Sequence, residues 1–410
     1  MPSFPVPRQV VVAGGGLAGL RTIETLRRAG FEGRVTLVGE EASLPYDRPS
    51  LSKEALTASA PPADTILSAA RRLADLEVEL LLGEGGAVGL DLDARRLKLV
   101  GGELDYDALV LATGAAPRVL PGLDGLERVH TLRSFDDAMA IRADLDRIER
   151  LLVVGAGFIG GEVAASARRR GIEVEIVEAA REPLRGAVGA EVGETVCELH
   201  RRHGTELTVG VGVLRGEETS AGVALHLDDG RRVEADAVVL GIGVLPALDW
   251  LEGSGLELGD GVICEADLTA GRPDVFAVGD VCSWPNRLFG RRMRVEHWTN
   301  ASEQARHVAR DLAAGARRPF AGTNYVWSDQ YEERLQMVGI ATPDVRVVEG
   351  SLDSGRYLAW YVEDEVLVGA FAIGIPELLG RTRMMIGRRL PVADALRELA
   401  ADPAEIGGRG

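Results

Sequence analysis

The chain has 410 residues, a formal net charge of −17, 46% hydrophobic residues and 27% charged ones. That is the make-up of a globular protein with room for two or three cores. Its overall field repels polyanions, which excludes a general nucleic-acid or anionic-membrane binder. No run of about 18 uncharged apolar residues occurs. The longest candidate, residues 237–248, is short and broken by Gly and Pro. The first residues hold prolines and an arginine in place of an apolar signal core, so the expectation is a cytoplasmic protein.

The first apolar β-branched run, VVVA, ends in GGGLAG, and a helical segment follows. In this strand–turn–helix setting Gly14 permits the tight turn, and Gly16 lets backbone N–H groups approach a pyrophosphate. Gly19 lets helix and strand pack closely, with phosphate at the positive end of the helix. The next strand, VTLV (35–38), leads to Glu40, roughly 20 residues beyond Gly19, where a carboxylate would grip ribose hydroxyls. DYDALVLATGAAP (105–117) reads as a buried strand closed by a glycine-bearing turn.

The whole order then recurs. LLVVGAGFIG carries Gly155, Gly157 and Gly160, VEIV (174–177) leads to Glu178, and EADAVVLGIGVLP (234–246) repeats the closing strand. A carboxylate at Glu178 accepts from a free 2′-OH and repels a 2′-phosphate, so the second site should prefer NADH over NADPH. Arg181 and Arg185, close behind, oppose that preference. Two such copies point to two dinucleotides on one chain.

VFAVGD (275–280) reads as a further strand. Asn300, with Glu303 three residues on, reads as the cap of a helix over SEQARHVARDLAAG. From about Phe320 the pattern changes to short alternating strands (WSDQY, RLQMVGIA, RVVEGS, RYLAWYVEDEVLVGAFAIG) with a closing helix in GRRLPVADALREL. The last residues, GGRG, are expected to fray. The expected fold is α/β: two tandem Rossmann-like dinucleotide-binding domains plus a C-terminal α+β domain. The expected boundaries are 1–115 with 247–319, then 116–246, then 320–410.

Cys197, Cys264 and Cys282 are scattered without CxxC or paired spacing. They are expected to form neither a disulfide framework nor a metal-ligand set, and to offer no dithiol relay. Cys282 reads as structural.

Five stretches, PYDRPSLSKEAL (45–56), GAGFIGGEVA (155–164), VFAVGDV (275–281), EHWTNASEQA (296–305) and YVWSDQY (325–331), stand in a telling order and spacing. With them the chain resembles, over nearly its whole length, the FAD-dependent NADH:ferredoxin reductases of bacterial oxygenase systems, the putidaredoxin-reductase type. The resemblance implies FAD at the first glycine loop, NADH at the second, and a C-terminal domain shielding the flavin. Electrons would leave singly for a [2Fe–2S] ferredoxin.

Carried over by position, it implies cofactor contacts from Gly14, Gly16, Leu17, Ala18, Gly19, Glu40, Arg48, Ala87, Thr113 and Gly114. Others are Arg133, Gly279, Asp280, Glu296, His297, Trp298 and Trp327. Around the second loop it implies Gly155, Gly157, Phe158, Ile159, Gly160, Glu162, Glu178, Arg185, Gly241 and Gly243. Lys53 resembles the lysine beside the isoalloxazine and Glu162 the acid paired with it. Their task is positioning and charge for hydride transfer rather than proton removal.

No metal site is expected. Two positions depart from the family pattern: Ala247 stands where members commonly have Asn, and the turn after LATG reads AAPR. The implied partner is an acidic ferredoxin, docking weakly and in a salt-sensitive way, with the reductase a monomer or weak homodimer. Candidate docking arginines are Arg287, Arg291, Arg292 and Arg294, then Arg317 and Arg318, then Arg381, Arg383, Arg388 and Arg389. The alternatives are a rubredoxin reductase, an apoptosis-inducing-factor-like flavoprotein and an NADH oxidase. The oxidase is opposed by Ser43, which stands where such enzymes often carry a redox cysteine.

Overall fold

Val10, Val11, Val12 and Ala13 are wholly buried because strand Gln9–Ala13 lies inside a sheet covered on both faces. The computed structural model describes residues 5–58, 67, 70–83 and 86–401. The closing GGRG lies outside the described residues. The chain divides into two compact units, one of residues 1–47, 64–116 and 245–324, the other of 48–63, 117–244 and 325–410.

In the first unit the main sheet runs Thr269–Ala270, Arg272–Ala277, Ala108–Leu111, Gln9–Ala13, Arg34–Gly39, Val78–Leu82. All its pairings are parallel except the short edge hairpin of Thr269–Ala270 with Arg272–Ala277. Helix Leu17–Arg28 follows the first glycine loop. An antiparallel sheet (Ala87–Asp91, Arg96–Leu99, Gly102–Asp105) and a four-stranded sheet (Leu258–Gly259, Gly261–Ile263, Cys282–Asn286, Arg291–Arg294) complete this unit with helix Trp298–Ala314.

The second unit repeats the plan. Its parallel sheet runs Glu206–Val209, Glu173–Glu178, Arg150–Val154, Ala237–Leu240, Val129–Thr131. Helix Phe158–Arg169 follows the second loop, and Val213–Glu218, Val223–Leu227 and Arg232–Ala235 form the matching antiparallel sheet. The α/β class with tandem parallel sheets is therefore present.

The same unit carries a five-stranded antiparallel sheet in the order Val326–Gln330, Glu333–Gly339, Val366–Ile373, Arg356–Glu363, Asp344–Ser351. Two helices follow it. The closing helix is Val392–Ala400, shorter than GRRLPVADALREL suggested, because Pro391 blocks its extension backward. The other, Pro376–Gly387, was not expected; it begins with Pro at its first turn and buries Leu379, Thr382, Met385 and Ile386. Among the described residues no helix is long and apolar enough to cross a membrane.

Candidate functional site

The two glycine loops are built to one plan. The Gly14 N–H bonds to the Val38 carbonyl at 2.8 Å, as the Gly155 N–H does to Val177 at 2.8 Å. Gly14 has φ +130° and Gly155 φ +103°, the region only glycine enters easily. A Cβ on Gly19 would lie 2.1 Å from the Gly14 carbonyl oxygen, and one on Gly160 would lie 2.2 Å from that of Gly155. The middle glycines differ in kind. A Cβ on Gly16 would meet nothing within 4 Å, and one on Gly157 only the Gly241 carbonyl oxygen at 3.5 Å. Each loop thus leaves backbone and space where a pyrophosphate must approach, at the start of helices whose caps receive no side-chain bond.

A further duplication anchors the strands. The Asp107 carboxylate accepts from the Arg8 and Gln9 N–H groups at 2.9 and 3.0 Å. Asp236 accepts from Glu149 and Arg150 at 2.9 and 2.8 Å. Both acids sit in the repeated segments DYDALV and EADAVV, so the alignment of the repeats was the signal that sequence reading left unused.

In the first unit Leu17 and Ala18 open helix Leu17–Arg28, and Glu40 is exposed just past strand Arg34–Gly39. Ala87 begins an antiparallel strand. Thr113 and Gly114 follow strand Ala108–Leu111, where the Thr113 hydroxyl donates to the Ala247 carbonyl at 3.4 Å and the Ala247 N–H to the Gly114 carbonyl at 3.0 Å. Ala247 therefore closes this turn through its backbone. Gly279 and Asp280 lie in a short 3-10 turn, held by the Gly279 N–H donating to Gln304 Oε1 at 2.8 Å. Glu296 pairs with Arg294 at 2.5 Å, and the Trp298 indole N–H donates to Asp47 at 3.1 Å.

The helix expected to start at Asn300 instead begins at Trp298, with His297 as its cap. Asn300 cannot cap because it lies in the first turn, buried, with its amide donating back to the Val295 carbonyl at 3.0 Å. His297 Nδ1 and Asn300 Oδ1 are buried without a partner among the described residues. Such atoms are costly to bury unless something else bonds them, and this fits a bound polar cofactor. Burial holds the His297 pKa down, to about 4, against the raising pull of Asp280.

In the second unit Phe158 and Ile159 open helix Phe158–Arg169, and Ile159 is exposed. The Glu178 carboxylate accepts from the Ala156 N–H at 2.8 Å and the Ala180 N–H at 2.7 Å, so it already touches the glycine loop. Gly241 and Gly243 follow strand Ala237–Leu240. Arg185 pairs with Glu182 at the surface. The Arg48 guanidinium donates to the Arg133 carbonyl, while the Arg133 N–H donates to Asp137 at 2.9 Å. Trp327 stacks on Tyr325 with ring centroids 6.1 Å apart.

Lys53 and Glu162 come together. Their ion pair is 2.7 Å long, with side chains 12% and 4% exposed. Lys53 also donates to the Pro49 carbonyl at 2.9 Å. Glu162 accepts from Ser52 Oγ at 2.5 Å and Ser328 Oγ at 2.7 Å. The two serines were not foreseen, although Ser52 and Ser328 stand in the quoted segments PSLSK and VWSDQY.

The cysteines are free, as expected, but the reading that the chain has no close pair of thiols is overturned. Cys264 and Cys282 are a close pair, their sulfurs 3.7 Å apart, because adjacent strands bring them together despite their spacing. Among the described residues no group of three or more His, Cys, Asp or Glu could hold a metal. Several proposed docking arginines have internal duties: Arg292 donates to the Cys264 and Ser283 carbonyls, Arg294 pairs with Asp260, and Arg318 with Asp311.

Residues 8–305 match the pyridine nucleotide-disulphide oxidoreductase family, and residues 325–405 match the reductase C-terminal family. Rhodocoxin reductase of Rhodococcus erythropolis is 34% identical over 96% of this chain and 92% of its own length. The p-cumate 2,3-dioxygenase system ferredoxin–NAD(+) reductase component of Pseudomonas putida is 36% identical over 94% of each chain. Among solved structures, the covalent putidaredoxin reductase–putidaredoxin complex matches with a TM-score of 0.90 at 31% identity, covering 96% of this chain and 99% of that one.

Proposed function

The chain belongs to the pyridine nucleotide-disulphide oxidoreductase family, and on that footing we propose that it is an NADH-dependent ferredoxin reductase of an oxygenase system. It moves electrons from NADH through FAD to a [2Fe–2S] ferredoxin. The observation that carries this reading is the duplicated loop with an open middle glycine, Gly16 and Gly157, each on its own parallel sheet. Relatives named as ferredoxin–NAD(+) reductase components, matched along nine-tenths of the chain, support the acceptor.

FAD, when bound, takes two electrons as hydride and returns them singly. The chain's own residues bind and orient. Domain 1–115 with 247–319 is assigned to FAD, through the Gly14–Gly19 loop, Glu40 and the Asp280 turn. Domain 116–246 is assigned to NADH, through the Gly155–Gly160 loop and Glu178, and 320–410 is the C-terminal domain. Lys53 supplies a fixed positive charge for the reducing step, with Glu162 holding it in place. The docking of ferredoxin is proposed to be transient and electrostatic, the reductase to act as a monomer or weak homodimer, and its site of action to be the cytoplasm.

Purified protein should be yellow, bleach with NADH, and reduce a panel of [2Fe–2S] ferredoxins faster with NADH than with NADPH. The ferredoxin rate should fall as salt rises. Protein that is colourless and cannot be reconstituted with FAD would overturn the reading.

A further inference from the structure

Cys264 and Cys282 are 18 residues apart in the chain, yet their sulfurs are 3.7 Å apart inside the first unit. Sheet register builds this contact. Strand Gly261–Ile263 runs parallel to Cys282–Asn286 with Val262 opposite Cys282, so Cys264, two residues beyond Val262, shares a face with both. The Cys264 N–H bonds to the Ser283 carbonyl at 2.8 Å, which locks the diagonal. Cys282 donates its S–H to Cys264, and Cys264 donates to the Val262 carbonyl at 3.3 Å. Arg292 braces both strands through the Cys264 and Ser283 carbonyls at 3.0 and 2.7 Å, placing a fixed positive charge beside the sulfurs. Both thiols are buried, and the proposed electron path uses neither.

We propose that Cys264 and Cys282 form an oxidisable dithiol, a modification site at which hydrogen peroxide closes an intrachain disulfide that staples the two strands. One thiolate attacks a peroxide oxygen, the O–O bond breaks, hydroxide leaves, and that sulfur becomes a sulfenic acid. The neighbouring thiol then displaces the sulfenic oxygen as water and the S–S bond forms. Two thiols lose two electrons and two protons in all, and one peroxide becomes two waters. The sulfurs must close from 3.7 Å to a bond of about 2.05 Å, and because the register sets the two residues on a diagonal, the end of strand Gly261–Ile263 must shift with the side chains.

Burial pushes the Cys282 thiol up, so thiolate is scarce and bulky oxidants are shut out. Small peroxide gains access through opening of the three-residue strand Gly261–Ile263. The reaction is accordingly slow, and it goes on to a disulfide only where a second thiol stands beside the first, as Cys264 does beside Cys282. The new link constrains the unfolded chain, so the oxidised protein melts higher.

The test uses the full-length protein, reduced, exposed to hydrogen peroxide while folded, then denatured, alkylated and digested. The expected product is a cross-linked peptide joining residues 264 and 282, lighter by two hydrogens. Cys197 alone should remain alkylatable, and Tm should rise by several degrees, reversibly with dithiothreitol. Cys197→Ser should behave as wild type, whereas Cys264→Ser and Cys282→Ser should each lose the link. Should either of these last variants fail to fold, the peptide map of wild type and Cys197→Ser still decides. Three alkylatable thiols after exposure, sulfonic acid without a link, or a link through Cys197 would overturn the proposal. None of these readouts needs turnover, so the result stands apart from the cofactor assignment.

Discussion

Glu162 is a buried carboxylate with three donors around it: the Lys53 ammonium and the Ser52 and Ser328 hydroxyls. Burying such a charge is tolerable only with this kind of shell. Glu162→Ala would strand an ammonium and two hydroxyls, and the expected loss is about 3–5 kcal/mol, read as a lower denaturant midpoint at unchanged slope. An unchanged midpoint would contradict the network. Lys53→Met removes the charge assigned to the reducing step and should slow NADH-driven flavin bleaching in stopped flow; traces like wild type would count against that role. Glu178 bonds two N–H groups, one of them on the glycine loop. Glu178→Ala removes its repulsion of a 2′-phosphate, so the NADH-to-NADPH ratio of kcat/KM should fall about tenfold or more, the worth of one charge-assisted bond. A ratio that does not move sinks that assignment.

Elements reveal why some features were legible and others not. A glycine loop reports a local backbone demand, so Gly14, Gly19, Gly155 and Gly160 could be read from spacing alone. Helix Trp298–Ala314 has a start set elsewhere: it begins two residues before Asn300, which therefore lies inside the first turn with its amide donating back to the Val295 carbonyl. Cys264 and Cys282 meet through parallel register, which leaves no trace in sequence spacing. Helix Pro376–Gly387 was passed over because Gly380, Thr382 and three arginine or glutamate positions interrupt its apolar stripe. The loops also make a paired prediction. Gly157→Ala should leave the fold and the yellow colour intact but raise the KM for NADH, because its Cβ would meet only the Gly241 carbonyl oxygen, at an ordinary 3.5 Å, and would take up room on the loop where the pyrophosphate approaches. Gly160→Ala should instead destabilise the protein, since its Cβ would meet the Gly155 carbonyl oxygen at 2.2 Å. Equal melting temperatures for the two variants would refute this division of labour.

For the whole molecule, pH acts through buried histidines. Burial holds His200 down, to about 4, so the fold favours its neutral ring, which is hydrogen-bonded to the Tyr331 hydroxyl at 2.9 Å. The unfolded chain, with its ordinary value near 6.5, binds the proton first. Stability is therefore full above about pH 6.5 and falls as the pH drops toward about 4, by roughly 3 kcal/mol for this one group. His297, held equally low, adds to the slope. Denaturant midpoints between these limits should show the decline, and His200→Gln should flatten part of it. A wild-type midpoint independent of pH would be incompatible with neutral buried rings.

The residues that follow position 324 are bound to what precedes them. Tyr331 bonds His200 and Thr205, Tyr357 bonds Thr195 at 2.6 Å, and Tyr361 donates to the Val188 carbonyl at 2.5 Å. Ser328 reaches Glu162, and a Cβ on Gly161 would run into the Gln330 amide at 2.8 Å. A stop codon placed at the seam would bare a hydroxyl, an imidazole and a carboxylate together. What looks in the gene like an appendix is, in the molecule, the far half of a zip fastener.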